Sequence, residues 1–297
     1  GITAARALSV VMAIQGIAPV VAPILGGVLV EPIGWRGILG VVAAFTGLLV
    51  VMVLLWVPES LPAERRHDGG LRILLDGTCE LARDHVLVRL LFINALSFGL
   101  LMAYLSAAPF VLRNVLGMGT VAYTAVFGLC GATVTVTIAV AASLVRRFSQ
   151  ARQVRVGLIA GLVVDTVFAG VCLMWLREPV TGPERMPLLV AVVALFLAHV
   201  ACLGLSMGNA PALALDRTGR WAGTGSALLG FLQFVVGGLV SPLVGLTGEA
   251  SGVAFGVVIV AVGAVANVLA VFGLRERGEK QRLAAQVTEC RQQRLGQ

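Results

Sequence analysis

One acidic side chain lies deep inside an apolar stretch: Asp165, near the middle of the run 156–176. A carboxylate in so apolar a segment is costly unless it carries a proton, balances a cation or hydrogen-bonds a neighbour. Asp165 is therefore a candidate proton-coupling group. The plainer reading is a neutral, hydrogen-bonded Asp packed against another helix. The other ionisable side chain of note in such a run is His199, within 187–215. Imidazole titrates near neutral pH, although a lone histidine on an apolar helix more often packs and hydrogen-bonds.

Uncharged polar residues recur at helical spacing. Asn94, Ser97, Leu101 and Tyr104 step by three and four residues, as do His199, Cys202, Ser206 and Asn209, so each set shares one helix face. Ser226, Gly230, Gln233 and Gly237 lie close to one face, and Gln15 sits above Ala18 and Ala22, one and two turns away. Such faces turn away from hydrocarbon, toward a cavity or partner helices.

Gly16-Ile17-Ala18-Pro19-Val20-Val21-Ala22-Pro23-Ile24-Leu25-Gly26-Gly27 combines a small-residue stripe at 18, 22 and 26 with two prolines. Small stripes let helix backbones approach closely, and each proline removes a backbone donor and bends the helix. The segment suits a kinked, tightly apposed helix, whether a gate or a structural pair. Gly204-Leu205-Ser206-Met207-Gly208 has the letters of a nucleophile elbow. The elbow requires a strand–turn–helix context, whereas this pentapeptide lies in an apolar helix with His199 on the same helix. Gly204 and Gly208 read better as a packing stripe.

These residues sit in a chain of 297 residues that is 58% apolar and 12% charged, with a mean hydropathy of +0.97. A soluble domain carries roughly 25% charge, so a soluble enzyme is excluded, and disorder is excluded by the same hydrophobicity. Eight runs are long and apolar enough to cross a bilayer as helices: 7–30, 37–57, 90–112, 119–145, 156–176, 187–215, 221–248 and 250–274. Barrel strands are about 10 residues of alternating polarity, which none of these resembles. The fold class is all-α and polytopic, with eight transmembrane helices.

If the N-terminus is cytoplasmic, the outer loops hold only Arg36, Arg113, Arg177 and Arg185 of the 22 Lys+Arg, leaving 18 inside. That bias follows the positive-inside rule and accounts for the net charge of +7. It places both termini in the cytoplasm. Lys280 is the single lysine, so nucleic acid is not an expected partner. The five cysteines form no CxxC pair, and no Walker, dinucleotide or metal-ligand spacing occurs. No cofactor or metal is expected, nor any enzymatic activity.

The long connection 58–89 opens with the helix stop Pro58-Glu59-Ser60-Leu61-Pro62. It continues with Leu71, Leu74, Leu75, Cys79 and Ala82 at helical spacing. This predicts a short amphipathic helix on the inner membrane surface, against the alternative of a solvated linker. The expected organisation is 1–57, 58–89, 90–274 and 275–297: two helices, a central loop, a six-helix bundle and a basic tail. Pro23-Ile24-Leu25-Gly26 recurs as Pro242-Leu243-Val244-Gly245, so spans one and two correspond to spans seven and eight.

The Gly16–Gly27 segment resembles the antiporter signature of drug–proton antiporters. Gly34-Trp35-Arg36, Leu55-Trp56-Val57-Pro58-Glu59-Ser60-Leu61-Pro62, Tyr104-Leu105-Ser106-Ala107-Ala108-Pro109-Phe110-Val111, Gly208-Asn209-Ala210-Pro211-Ala212-Leu213-Ala214-Leu215 and Gly223-Thr224-Gly225-Ser226-Ala227-Leu228-Leu229-Gly230-Phe231-Leu232-Gln233-Phe234 follow in order. Together they resemble the Bcr/CflA multidrug efflux permeases of the major facilitator superfamily. Arg146-Arg147-Phe148-Ser149-Gln150-Ala151-Arg152 resembles that family's degenerate second-half loop signature. Family members have twelve helices. The resemblance therefore implies helices five to twelve, with the first four absent, and the opening Gly1 need not be the start of a gene product.

The resemblance implies proton-coupled efflux of small hydrophobic compounds across the cytoplasmic (inner) membrane by alternating access. Gly16, Pro19, Pro23, Gly26 and Gly27 would gate the outer side. Gln15, Asn94, Tyr104, His199, Asn209 and Gln233 would line the substrate cavity. Expected partners are the lipid bilayer, the substrate and protons, with a monomer as the working state. Two other readings stand beside it: a truncated, non-transporting remnant or assembly partner, and an exporter of a metabolite.

Overall fold

Inside a bilayer every backbone donor and acceptor must be satisfied within the protein, which long apolar runs achieve only as helices. The computed structural model describes the backbone of residues 2–56, 71–248 and 251–272, and the side chains of 25–56, 73–248 and 251–272. Among these residues every long element is helical. Seven helices are long and apolar enough to cross a membrane: Leu25–Trp56, His85–Val115, Thr120–Leu144, Gln150–Trp175, Arg185–Leu215, Gly219–Leu243 and Val253–Phe272. The basic tail at 275–297 lies outside the described residues.

The chain divides into two units, Gly1–Leu75 and Asp76–Gln297. The first contains α1 (Ile2–Trp56), broken at Gly34, whose φ of 65° and ψ of 176° are not helical. Here the structure departs from the expected loop at 31–36. The two expected spans meet at one non-helical residue, in a left-handed φ that glycine adopts without a Cβ penalty. The first of them, 7–30, is followed as helical backbone, and its side chains up to residue 24 lie outside the described residues.

The second unit begins within α2 (Leu71–Ala82). Gly77 and Leu81, one turn apart, are buried, while Leu74, Leu75 and Cys79 are exposed. Gly77 lies against Trp221: a Cβ there would stand 2.7 Å from the indole. Thus the stripe that docks on the bundle differs from the apolar face that the sequence marks for a membrane surface.

The bundle comprises α3 (His85–Pro109), α4 (Thr120–Leu144), α5 (Gln150–Trp175), α6 (Arg185–Leu215), α7 (Ala222–Leu243) and α8 (Val253–Phe272). Helix α6 packs against α3, α4, α5 and α7, and α3 also packs against α7. Helix α8 lies on α5, where a Cβ at Gly256 would stand 2.9 Å from the Ala169 Cα. Gly204 and Gly208 face Thr137 and Ile138 of α4, as a small-residue packing stripe does. At Pro109, which lacks an N–H, α3 runs into a π-helical turn, Phe110–Val115. Pi-helical insertions carry an extra residue and re-aim the side chains that follow.

Helix α5 shows how such a helix sorts its faces. Val156, Ile159, Val163 and Val167 form an exposed apolar stripe suited to lipid, while Leu158, Asp165, Phe168 and Cys172 are buried. Phe168 meets Phe196 of α6 and Phe255 of α8 edge to face, at centroid distances of 4.8 and 5.2 Å. These pairs add to what burial alone contributes.

At one end of the bundle Asp84 joins two elements. Its Oδ1 accepts from the Val86 and Leu87 amides at 3.0 and 3.2 Å, capping α3. Its Oδ2 accepts from Arg217 Nε and Nη2 at 2.8 and 2.6 Å, tying α3 to the turn after α6. Partial burial acts to raise the carboxyl's pKa, but the Arg217 and amide hydrogen bonds outweigh it and hold it below its usual 3.8. Next to it, Arg220 donates to Glu80 Oε2 at 2.6 Å and lowers that carboxyl as well.

Asp84→Ala is expected to destabilise the bundle by about 1 kcal/mol, chiefly through the lost cap, because a pair this open to solvent contributes little. Asp84 is depressed in the folded state, so its contribution is present above pH 3.8 and is lost as pH falls below that value. Denaturant titration of wild type and variant across that range checks both points. A gap between them that stays constant on acidification would contradict the pairing.

Candidate functional site

The polar faces read from the sequence turn into helix–helix contacts. Asn94 on α3 donates from Nδ2 to Gln233 Oε1 on α7 at 3.3 Å. Asn209 on α6 donates to Gln153 Oε1 on α5 at 3.3 Å and to the Leu205 carbonyl at 2.9 Å. Tyr104 is buried, stacked on Phe127 and edge-on to Phe196, at centroid distances of 5.8 and 5.3 Å. These residues do not converge on one site: Asn94 and Gln233 bridge α3 and α7, Asn209 bridges α6 and α5, and Tyr104 sits in an aromatic cluster.

Gln15 of the expected substrate cavity, and Gly16, Pro19 and Pro23 of the gating segment, lie among residues whose side chains are outside the described set. At Gly26 and Gly27, no atom of the described residues lies within 4 Å of where a Cβ would stand.

His199 and Asp165 do come together. Imidazole Nδ1 and carboxylate Oδ1 are 2.5 Å apart, and each side chain is 1% exposed. The two residues are singled out separately in the sequence. The structure makes them one unit joining α5 to α6. Of the two readings of Asp165, a hydrogen bond to a neighbouring helix is the observed geometry.

Two features of the surroundings matter. First, His199 Nε2 and Ser206 Oγ are buried and make no hydrogen bond among the described residues. Buried polar atoms are nearly always satisfied. Second, Asp165, His199 and Ser206 line one small cavity, with Gly157, Gly161, Leu162, Leu203 and Gly263 among the other walls. It has room for about one water molecule. Glycine keeps this space open: a Cβ at Gly157 would stand 3.0 Å from Ser206 Oγ, and one at Gly263 would stand 3.3 Å from Asp165 Oδ2.

Sequence reasoning missed Gln153, the partner of Asn209. It lies three residues before the apolar run that begins at 156 and so reads as loop, although α5 begins at Gln150. Asn267 was also missed. From α8 it donates to the Leu158 carbonyl on α5 at 2.9 Å. Its signal is a lone amide in an otherwise apolar span. Ser106 and Ser241, hydrogen-bonded at 2.5 Å between α3 and α7, fall in runs too crowded with small residues for either to stand out.

Comparison with known proteins places this architecture. The Major Facilitator Superfamily profile matches residues 3–242. An uncharacterized MFS-type transporter, YdgK, of Bacillus subtilis strain 168 is 28% identical over 272 residues, covering 90% of this chain and 63% of the relative. A bicyclomycin resistance protein homolog of Haemophilus influenzae is 27% identical over 240 residues, covering 80% of this chain and 57% of the relative. The chain thus spans about three-fifths of the length of these relatives.

Proposed function

This chain belongs to the Major Facilitator Superfamily, a family of multi-pass membrane transporters, and from that premise we propose that it serves proton-coupled efflux of small hydrophobic compounds by alternating access. The observation that carries the drug-efflux reading is the alignment of 80% of the chain with the bicyclomycin resistance protein homolog. The order of motifs resembling the Bcr/CflA type agrees with it. In this superfamily two bundles, each built from inverted three-helix repeats, rock about a midplane site. A mostly apolar lining with a few adaptable donors suits lipophilic compounds, whose selection depends on shape and scattered contacts. Asn94, Gln233, Asn209 and Tyr104 are the candidate donors here. Asn94 and Gln233 now bond each other between α3 and α7, and Asn209 bonds Gln153 on α5; contacts with substrate would replace these bonds.

Orientation in the cytoplasmic membrane with both termini inside follows from the Arg/Lys bias. Coupling to protons needs an ionisable group at membrane depth, and Asp165 is the proposed proton-coupling residue.

The test is a susceptibility panel that includes bicyclomycin, in an efflux-deficient host expressing the gene product that carries this sequence. Resistance to lipophilic compounds should rise, and a protonophore should abolish the gain. Unchanged susceptibility, with ethidium efflux from proteoliposomes indifferent to an imposed pH gradient, would overturn the reading.

A further inference from the structure

We propose that Asp165 and His199 form a hydrated proton-binding site within the helical bundle, taking one water and one exchangeable proton. The proposal deepens the proton-exchange reading above and rests on it for its role in transport, but not for its chemistry.

The argument begins with the pair. With Asp165 ionised, its 2.5 Å contact with His199 Nδ1 assigns the ring proton to Nδ1, and Nε2 then carries a free lone pair. That Nε2 makes no hydrogen bond among the described residues, and His199 and Asp165 line the same small cavity. One water there would donate to Nε2 and to the Leu100 carbonyl that faces the ring, giving it the two polar partners that a buried water needs; Ser206, seven residues on along α6 and so about 10 Å away, is beyond its reach.

Proton uptake is then a balanced step. The water passes a proton to Nε2 and receives one from an entering hydronium ion, and water is released. The pair changes from carboxylate with neutral imidazole, net charge −1, to carboxylate with imidazolium, net charge zero. Release is the reverse. A buried unit that alternates between −1 and zero responds to whether the cavity is open to water, which is the property a coupling group needs.

The groups facing the pair are few and uncharged. On α6 Cys202 is the nearby titratable side chain, close enough to sense Asp165. On α3 the Leu100 backbone carbonyl faces the imidazole. On α8 Gly263 stands beside Asp165, and Phe255 lies edge-on to the ring at a centroid distance of 6.5 Å. No described group on these faces competes with the imidazole for the carboxylate.

One feature keeps the room. Gly263 on α8 stands where a Cβ would meet Asp165 Oδ2 at 3.3 Å, so a side chain there would take the space that water needs.

The test reads protonation directly. The gene product carrying this chain is purified in lipid nanodiscs, and infrared difference spectra between alkaline and acidic pH are recorded with isotope-labelled histidine. Wild type should show an imidazole-to-imidazolium change, lost in Asp165→Asn and in His199→Gln. Ser206→Ala, on the same cavity wall but two turns from the pair, and Ser97→Ala, outside that wall, should both leave the midpoint in place. An unchanged titration in His199→Gln would overturn the site. Ethidium efflux driven by a pH gradient in proteoliposomes separates the two proposals. A normal titration without proton-driven efflux overturns the exchange reading and leaves the site standing. Proton-driven efflux that survives in His199→Gln overturns the site's role as the carrier.

Discussion

Replacing His199 with leucine is expected to cost the bundle about 3 kcal/mol of stability, among the largest losses from any single position. Leucine matches the imidazole in bulk, so the loss comes from Asp165 rather than from a cavity. With 1% exposure, the carboxylate would be left without its bonded partner, and breaking one side of a buried pair typically costs 3–5 kcal/mol. The lower end applies because a carboxyl in an apolar site escapes part of the cost by taking up a proton. Asp165→Leu leaves a neutral imidazole behind and should cost less. The double variant, Asp165→Leu with His199→Leu, should recover most of the loss, since buried pairs are often replaceable by well-packed apolar residues at little cost. Reversible denaturation in mixed micelles gives the double-mutant cycle. Losses that simply add would show that the two side chains do not act as a unit.

That cycle also distinguishes a structural pair from a functional one. A stable double variant that no longer exchanges protons would place the pair's value in its charge. The fold does not need these two residues to be polar, because Phe168, Phe196 and Phe255 already join α5, α6 and α8. A carboxylate and an imidazole in place of two more apolar side chains are therefore an expense that packing leaves unexplained.

The membrane-spanning helices are legible because their signal is local. A run such as 187–215 is apolar all round and long enough to cross, and no other element accommodates it. The small stripe at Gly204 and Gly208 is legible for the same reason, and in the structure it faces Thr137 and Ile138. Partnership is a different matter. Helical periodicity indicates that His199, Cys202, Ser206 and Asn209 share a face, but not which helix that face meets. Asp165 precedes His199 by 34 residues, and nothing local relates them. Asn209 and Gln153 are 56 residues apart, and Gln153 lies before the apolar run where a hydropathy boundary excludes it. Gly34 shows a further limit. The turn between two spans reads as a short polar loop, whereas one residue in a left-handed φ is enough for the backbone to leave the helix.

The sharpest remaining contrast lies between two glycines one turn apart on α5. Gly157→Ala should destabilise the bundle by about 1–3 kcal/mol, the range for overpacking a close contact. Its Cβ would stand 2.9 Å from the Cys202 carbonyl oxygen and 2.9 Å from the Leu205 Cβ, as well as 3.0 Å from Ser206 Oγ. A carbonyl cannot rotate aside, so α5 and α6 must separate. At Gly161 the nearest atom to a new Cβ is the Cys202 Cβ at 3.5 Å, an ordinary contact. There alanine should be neutral or gain up to about 1 kcal/mol, from its better helix propensity. The same substitutions separate packing from proton binding. Alanine at 157 pushes into the space beside Ser206 and widens the spacing that holds His199 at 2.5 Å from Asp165, so stability and imidazole titration should both suffer. Alanine at 161 should leave both near wild type. Thermal midpoints and infrared titrations of the two variants side by side supply the measurement. A wild-type result at Gly157 would mean that α5 and α6 separate at no cost. The close approach of their backbones would then not be what holds the pair together.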